Sequence, residues 1–262
     1  MHRRRTPPAV RRLSLVIPAY NEAPGIAGVL KEATATLERL LDDFEIIVVD
    51  DGSHDDTAKR VADMARHDQR LRLLRHERNR GYGAALRTGF GAARFPWVAF
   101  TDADGQFYLD DLRRLLHHAP AAPLVVGYRL QRQDPWLRRF LSWGYNTLVR
   151  LLLRTGVRDC DCALKLFRRD VLHELLPVST GFFVNTEMLA RARRLGLRIV
   201  EVGVRHRPRR AGSSKVSLRD VPRTLAVLIP FLARFWLAPL WPGALPSLLA
   251  RTRWLARLLR YG

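Results

Sequence analysis

Along the first hundred residues, short apolar runs ending in polar clusters alternate with longer runs of helical period. Leu13-Ser14-Leu15-Val16-Ile17 is closed by Pro18 and reads as a buried strand. Over residues 23–41, Ile26, Leu30, Leu37 and Leu41 fall on one helical stripe. Glu45-Ile46-Ile47-Val48-Val49 predicts a second strand ending in Asp50-Asp51-Gly52-Ser53. Ser53-His54-Asp55-Asp56 opens the next helix, with acidic residues in the first turn where the helix dipole favours them. A third strand, Leu71-Arg72-Leu73-Leu74, leads through Asn79-Arg80-Gly81-Tyr82-Gly83 to an alanine-rich helix over 84–93. Trp97-Val98-Ala99-Phe100 then climbs into Thr101-Asp102-Ala103-Asp104-Gly105-Gln106.

Alternation of this kind predicts an α/β fold, with a mostly parallel sheet flanked by helices on both faces. Ligands of such sheets bind outside the carboxyl ends of the strands. The clusters at Pro18-Ala19-Tyr20, Asp50-Asp51 and Asp102-Ala103-Asp104 all follow strands and are expected to converge at that edge. In the second half, Leu124-Val125-Val126-Gly127 reads as a strand and 136–153 as a helix. A further helix runs to Arg194, and 197–204 alternates like a strand at a surface edge.

Composition narrows the class of partner. The 262 residues are 47% apolar, enough for one large domain or a domain with an appendage. A formal net charge of +20 points to polyanions: nucleic acid, an anionic membrane or phosphorylated substrates. Cys160 and Cys162 are the only cysteines, so no disulfide framework is expected and a reducing compartment is. Met1-His2-Arg3-Arg4-Arg5 is followed by Pro7-Pro8 and no long apolar run, which is not the pattern of a secretory signal.

Two carboxylates separated by one small residue at a strand end suit a hard cation such as Mg²⁺ or Mn²⁺, which takes oxygen ligands from carboxylates and substrate phosphates. The competing reading is a polar turn that simply closes the strand. A cation beside Asp50 and Asp51, in so basic a chain, suggests a nucleoside diphosphate whose base or ribose meets a carboxylate. A dinucleotide fold would need Gly-x-Gly-x-x-Gly after the first strand, where Pro18-Ala19-Tyr20-Asn21-Glu22 stands instead. No Gly-Lys-Ser/Thr phosphate loop occurs either.

Four ordered stretches carry a resemblance: Val16-Ile17-Pro18-Ala19-Tyr20-Asn21-Glu22, Val48-Val49-Asp50-Asp51-Gly52-Ser53, Asn79-Arg80-Gly81-Tyr82-Gly83-Ala84-Ala85 and Asp102-Ala103-Asp104-Gly105-Gln106. Over residues 13–216 the chain resembles family 2 glycosyltransferases, most nearly the dolichyl-phosphate mannosyltransferase and polyprenyl-phosphate glycosyltransferase branch. The resemblance implies a GT-A fold, a nucleoside-diphosphate sugar donor (GDP- or UDP-linked), a divalent cation on Asp-x-Asp and transfer with inversion. It assigns Pro18, Tyr20, Glu22, Asp51 and Asp50 to the nucleoside pocket. Asp102, Asp104 and Gln106 would face the metal and diphosphate, with Asp104 in the catalytic centre.

The second half adds candidate cations. On the 136–153 helix arginines alternate with apolar residues, which fits a solvated basic face. It also fits a grip on phosphate by Arg129, Arg138 and Ser142, guanidinium being suited to phosphate oxygens. The resemblance favours the grip, since the matching positions contact the acceptor phosphate, and Arg139 is placed to exchange roles with Arg138. Cys160-Asp161-Cys162 fits packing of small residues better than a zinc site, which needs further ligands. The stretch around Cys162-Ala163-Leu164-Lys165 departs from the Thr-Ser-Gly-Phe-Arg-like segment frequent in the branch, leaving Lys165 a candidate polar contact. Glu187 fits either a cap on its own helix or the acidic residue that the resemblance sets near sugar or metal. In the loop Arg207-Pro208-Arg209-Arg210-Ala211-Gly212-Ser213-Ser214-Lys215, Arg209 and Lys215 match a basic clamp over the diphosphate; a solvated loop is the alternative.

From Val221 the composition shifts. The stretch 225–249 is nearly all apolar but is broken by four prolines and Arg234. Arg251, Arg253, Arg257 and Arg260 follow, with Trp254 and Leu258. An interfacial segment on anionic lipid, a broken span, a packed helix and an oligomer interface all fit. The expected organisation is a basic tail over 1–12, a catalytic domain over 13–216 and a membrane-directed segment over 217–262, at the cytoplasmic face of a membrane. The expected partners are a polyprenyl phosphate and the membrane surface, with a homo-oligomer or membrane-protein partner also compatible. Two other classes compete: transfer to a glycan, lipid headgroup or small molecule, and a non-catalytic nucleic-acid binder. The acidic strand ends would repel a phosphate backbone, so no nucleic-acid partner is expected.

Overall fold

The computed structural model describes residues 10–130, 136–181 and 183–208, with 228 and 230–232; over 136–142 it describes the backbone alone. The strands are β1 (Arg12–Ala19), β2 (Asp43–Asp50), β3 (Leu71–Arg75), β4 (Trp97–Phe100), β5 (Leu124–Arg129), β6 (Lys165–Arg168) and β7 (Ile199–Val204). The helices are α1 (Ala23–Leu40), α2 (Thr57–Ala65), α3 (Tyr82–Ala92), α4 (Leu112–His118), α5 (Trp136–Leu153), α6 (Arg169–Leu175) and α7 (Val184–Arg194).

The strands form one seven-stranded sheet in the order β3-β2-β1-β4-β6-β5-β7. Strands β3, β2, β1 and β4 are mutually parallel, and β5 pairs parallel with β7. β6 lies between β4 and β5 and runs antiparallel to both. Every residue of β1 and β2 after the first is buried, as expected of central strands covered on both faces. The expected α/β sheet, mostly parallel and flanked by helices, is the one observed.

Local sequence explains how the layers meet. α1 starts with Pro24 in its first turn and buries Ile26, Leu30, Ala33 and Leu37 along one stripe. α3 is rich in Ala and Gly because it presses closely on the sheet: a Cβ on Gly89 would lie 2.3 Å from Val16 Cγ1. Phe90 of α3, Phe100 of β4 and Phe167 of β6 cluster, with Phe90–Phe100 centroids 5.7 Å apart and the Phe100 and Phe167 rings stacked at 6.2 Å.

Four elements depart from the sequence expectation. α2 begins at Thr57 because residues 53–56 are held in a loop: Ser53 and His54 bond to Asn21, and Asp55 Oδ1 accepts Thr57 N. The short helices α4 and α6 were not anticipated, nor was β6, whose first residue is a buried lysine. β7 is an edge strand, as its alternation suggested. Among the described residues no helix is long and apolar enough to cross a membrane. The 217–262 segment, apart from 228 and 230–232, lies outside the described residues, as do residues 1–9 of the basic tail.

Candidate active site

The ends of β1 and β2 are stitched together by their own polar side chains. Asn21, at a positive φ of 51°, donates its backbone N–H to Ser53 Oγ at 2.9 Å and accepts His54 N on Oδ1 at 2.9 Å. Glu22 N donates to Thr57 Oγ1 at 2.8 Å, and Ala23 N donates to Asp55 Oδ2 at 3.1 Å. Tyr20 meets His54 edge-on at 6.4 Å, Glu22 is buried at the start of α1, and Pro18 pairs with Val49 inside the sheet. Pro18, Tyr20, Glu22, Asp50 and Asp51 are thus brought to one edge.

Asp50 and Asp51 are both buried and have different surroundings. Asp50 Oδ1 accepts Ser53 N at a long 3.4 Å, while Arg75 Nε lies 3.3 Å from Oδ2, which receives no hydrogen bond. Asp51 is saturated: Oδ1 takes His76 Nδ1 at 2.6 Å and Arg80 N at 2.9 Å, and Oδ2 takes Gly81 N at 2.9 Å. His76 Nε2 contacts Thr88 Oγ1 at 2.9 Å, so Asp51 fixes the approach to α3. Gly52 is required there, since at φ 72° a Cβ would meet the Arg78 carbonyl carbon at 2.5 Å.

α3 in turn packs on a distant loop. Gly83 N donates to Thr180 O at 2.7 Å, and a Cβ on Gly83 would fall 2.1 Å from Ser179 O. Arg87 Nη1 donates to the carbonyls of Pro177, Val178 and Ser179 at 2.7, 2.9 and 3.2 Å. From the other side Glu187, almost fully buried, accepts Val178 N and Ser179 N at 2.9 Å each and pairs with Arg191 at 2.7 Å. Glu187 therefore organises the loop that faces α3.

The turn after β4 holds the two carboxylates. Tyr82 Oη donates to Asp102 Oδ1 at 2.9 Å, and Asp104 Oδ1 accepts Gln106 N at 3.0 Å. Loss of solvent around the phenol, then the charge of Asp102 and the bond to it, push Tyr82 well above the ordinary phenol range. The turn is clasped by Arg207: its Nε donates to Gly105 O at 2.5 Å, its Nη2 to Glu32 Oε2 at 2.6 Å, and its N to Gln106 O at 2.9 Å. Phe107 and His206 form a β-bridge alongside. The expected clamp residues Arg209 and Lys215 lie outside the described residues. The donor set of Asp102, Asp104 and Gln106 is oxygen-rich, which fits a hard divalent cation. Among the described residues no group of three or more His, Cys, Asp and Glu converges as metal ligands, so such a cation would also need substrate oxygens.

The other side of the edge is built on buried cations. Arg129, ending β5, forks onto Asp159: Nε to Oδ2 and Nη2 to Oδ1, both at 2.7 Å, with each side chain under a tenth exposed. Burial opposes the guanidinium charge, but the hydrogen bonds and charge of Asp159 outweigh it and raise the Arg129 pKa. Cys160 and Cys162 are buried, and burial pushes both thiols up to about 12. They are packing residues, as expected. Lys165, at the start of the reversed β6, is buried and donates to Cys160 O at 2.9 Å, to Cys162 O and to Asn185 Oδ1 at 3.0 Å. Arg138, Arg139 and Ser142 lie on the backbone of α5, with side chains outside the described residues; 138 and 142 are one turn apart and share a face.

Tyr82, Asn185, Asp159 and Arg207 were not singled out as functional by sequence reasoning. Tyr82 stands inside a quoted motif, so a signal existed for it. The roles of the other three depend on partners 20 to 175 residues away, such as Asn185 on Lys165 and Arg207 on Glu32, and spacing carries no trace of them.

Residues 14–176 match the family described as Glycosyl transferase family 2. The chain is 35% identical over 220 residues to the glycosyltransferase AglD of Haloferax volcanii, covering 80% of this chain and 35% of that protein. It is 32% identical over 248 residues to a dolichyl-phosphate beta-glucosyltransferase of Trichomonas vaginalis, covering 87% and 72%. An undecaprenyl-phosphate 4-deoxy-4-formamido-L-arabinose transferase of Aeromonas hydrophila is 32% identical, covering 80% and 64%. The chain thus spans about a third of the first relative's length and just under two thirds of the last's. In fold it is similar to glucosyl-3-phosphoglycerate synthase from Mycobacterium tuberculosis, solved with Mn²⁺, uridine diphosphate and glucosyl-3-phosphoglycerate. The TM-score is 0.67 at 24% identity, over 86% of this chain and 80% of that one.

Proposed function

The chain belongs to glycosyl transferase family 2, and on that premise we propose that it transfers a sugar from a nucleoside-diphosphate sugar to a polyprenyl phosphate, with inversion. The observation that carries the reading is the gathering of Tyr20, Glu22, Asp50, Asp51, Asp102 and Asp104 at the carboxyl ends of β1, β2 and β4. The acceptor class is supported by the dolichyl- and undecaprenyl-phosphate transferases among the relatives.

In this reading the Tyr20–Glu22 and Asp50–Asp51 loops seat the nucleoside. Asp102, Asp104 and Gln106 would hold Mg²⁺ or Mn²⁺, which when bound supplies Lewis-acid stabilisation of the diphosphate. Arg209 and Lys215 close over the diphosphate. An acceptor phosphate oxygen attacks the anomeric carbon on the face opposite the diphosphate. The bond from that carbon to the diphosphate oxygen breaks, and its electron pair leaves with the diphosphate. A phosphate monoester has a second pKa near about 6 and is already largely ionised at neutral pH, so positioning replaces a general base. Arg138 and Ser142, with Arg139, supply that positioning. Arg129 has Nε and Nη2 committed to Asp159, so any part it takes in holding the phosphate falls to Nη1.

The net charge of +20 and the apolar, arginine-rich composition after residue 217 support a site of action at the cytoplasmic face of an anionic membrane. The test supplies membranes, Mg²⁺ or Mn²⁺ and a panel of radiolabelled GDP- and UDP-sugars, and follows label into a lipid-phosphate fraction. Label appearing only on water-soluble acceptors would replace the lipid acceptor by another. Asp104→Ala is expected to lower transfer by more than about a hundredfold with the fold retained. Undiminished transfer in EDTA would remove the metal from the reading.

A further inference from the structure

α5 does not divide its polar and apolar residues as a helix packed on a water-soluble domain ordinarily does. Its buried side carries hydrogen-bonding groups: Tyr145 Oη lies 2.8 Å from Thr186 Oγ1, and Asn146 Oδ1 accepts Cys160 N at 2.8 Å. Val149 and Leu153 complete that side and are buried. The outward side carries a tryptophan and two leucines: Trp143 is 63% exposed, Leu148 38% and Leu151 70%. Residues 143, 147 and 151 follow one another at single-turn spacing, and 144 and 148 run alongside, so these residues form one stripe. Positions 136 and 140, Trp and Phe in the sequence, continue that stripe back along the helix backbone. Apolar groups gathered on an outward face mark a contact with protein or with lipid.

Charge decides between the two. α5 holds Arg138, Arg139 and Arg150 and no acidic residue, and the exposed Arg154 follows its last turn. Exposed Arg193 and Arg194 close α7 beside that end, where Arg193 Nε donates to Thr155 O at 2.7 Å. A second copy docked on the same face would set like charges against like. A Trp and Leu stripe bordered by guanidinium groups suits the headgroup layer of an anionic bilayer, with arginine stems on the apolar boundary and charges on lipid phosphates. α5 is not long and apolar enough to cross a membrane, so it would lie along the surface.

We propose that the outward face of α5, carried by Trp143, Leu148 and Leu151 within an arginine border, is a docking surface for an anionic lipid bilayer. It gives the catalytic domain a lipid contact of its own, besides any made after residue 217. Positions 138 and 142 fall on the stripe of Tyr145 and Val149, opposite Leu151. In the polyprenyl-phosphate reading, on which this last point rests, one helix then has lipid on one side and the acceptor phosphate on the other.

Docking is measured without sugar transfer, so its failure leaves the acceptor to be judged by the labelled-sugar assay. In the full chain, Leu148→Cys, Leu151→Cys and, on α2, Lys59→Cys are each labelled with a nitrobenzoxadiazole fluorophore. Cys160 and Cys162 are fully buried with pKa values raised to about 12, so the introduced thiols take the label. The vesicles are phosphatidylcholine with or without phosphatidylglycerol, and carry lipid bearing a nitroxide just below the headgroup. With phosphatidylglycerol, the fluorophores at 148 and 151 should shift to the blue and be quenched, and the one at 59 should do neither. Adding Trp143→Ser and Leu151→Ser to Leu148→Cys should remove most of the shift and quenching at 148 with an unchanged melting temperature. Fluorophores at 148 and 151 that stay in water on the bound chain would overturn the proposal, as would no binding at all. Shielding before lipid is added, equal responses without phosphatidylglycerol, or a response kept in the serine variant would overturn it too.

Discussion

The two sides of the carboxyl edge handle buried charge differently. On the β1–β4 side, carboxylates answer backbone amides: Asp51 takes Arg80 N and Gly81 N, Asp55 takes Ala23 N and Thr57 N, and Asp104 takes Gln106 N. Amides are neutral, so these bonds organise the loops without an opposite charge, apart from Arg75 beside Asp50 and His76 on Asp51. On the β5–β6 side, cations are answered in place: Arg129 by the Asp159 carboxylate, Lys165 by two carbonyls and an amide oxygen. The first side retains a negative field suited to a cation. The second has spent part of its positive charge internally, which shifts the work of meeting a phosphate towards Arg138 and Arg139. A charge visible in a sequence is not always a charge on offer.

The strongest way to break this contrast is to remove the answer to Arg129. Asp159→Ala leaves a buried guanidinium uncompensated and should cost about 3–5 kcal/mol, read from urea denaturation. Replacing both partners, Arg129→Met with Asp159→Leu, should recover most of that loss. A silent single variant would show that the pair is not a buried anchor.

A smaller effect is expected from Asp51→Asn. The amide keeps one acceptor but sets its own N–H groups against one of the donors now bound, at a cost of about 1–3 kcal/mol. Donor KM should rise in parallel, because Arg80 and Gly81 lead directly into Tyr82. A raised KM with unaltered stability would instead place Asp51 in direct contact with the nucleotide.

The least expected effect is a dependence on pH. Burial raises Cys160 and Cys162 to about 12. Above the ordinary thiol pKa the unfolded chain releases protons that the folded chain keeps, so stability falls as pH rises through that window. The slope is at most about 1.4 kcal/mol per thiol per pH unit. Urea midpoints between about pH 8 and about pH 10 should fall faster for the chain than for Cys160→Ala/Cys162→Ala. Equal slopes would refute the assignment.

The same contrast explains what the sequence could disclose. β1, β2 and β4 are apolar runs ending in acidic or polar clusters, and period with punctuation is enough to find them. β6 is four residues long and begins with Lys165, which reads as exposed by residue type. Its burial depends on the carbonyls of Cys160 and Cys162 and on Asn185, and that arrangement exists only after folding. Asp102 and Asp104 were legible because residues only two apart form the unit. The fork of Arg129 on Asp159 was not, since the same arginine serves equally well as a phosphate ligand until its partner is seen. Asp55 and Asp56 resemble a helix start and so suggest an earlier beginning for α2, whereas Asp55 is committed to the backbone of Ala23.

The close approach of Gly83 to Ser179 O has a consequence for how such chains diverge and recombine. With no space for a methyl group between them, the start of α3 and the loop at 177–180 must be inherited as a matched pair, although ninety-odd residues separate them. A chimera that crosses between relatives anywhere from 84 to 178 joins two surfaces shaped for different mates, whereas a crossover outside that interval leaves the joint intact.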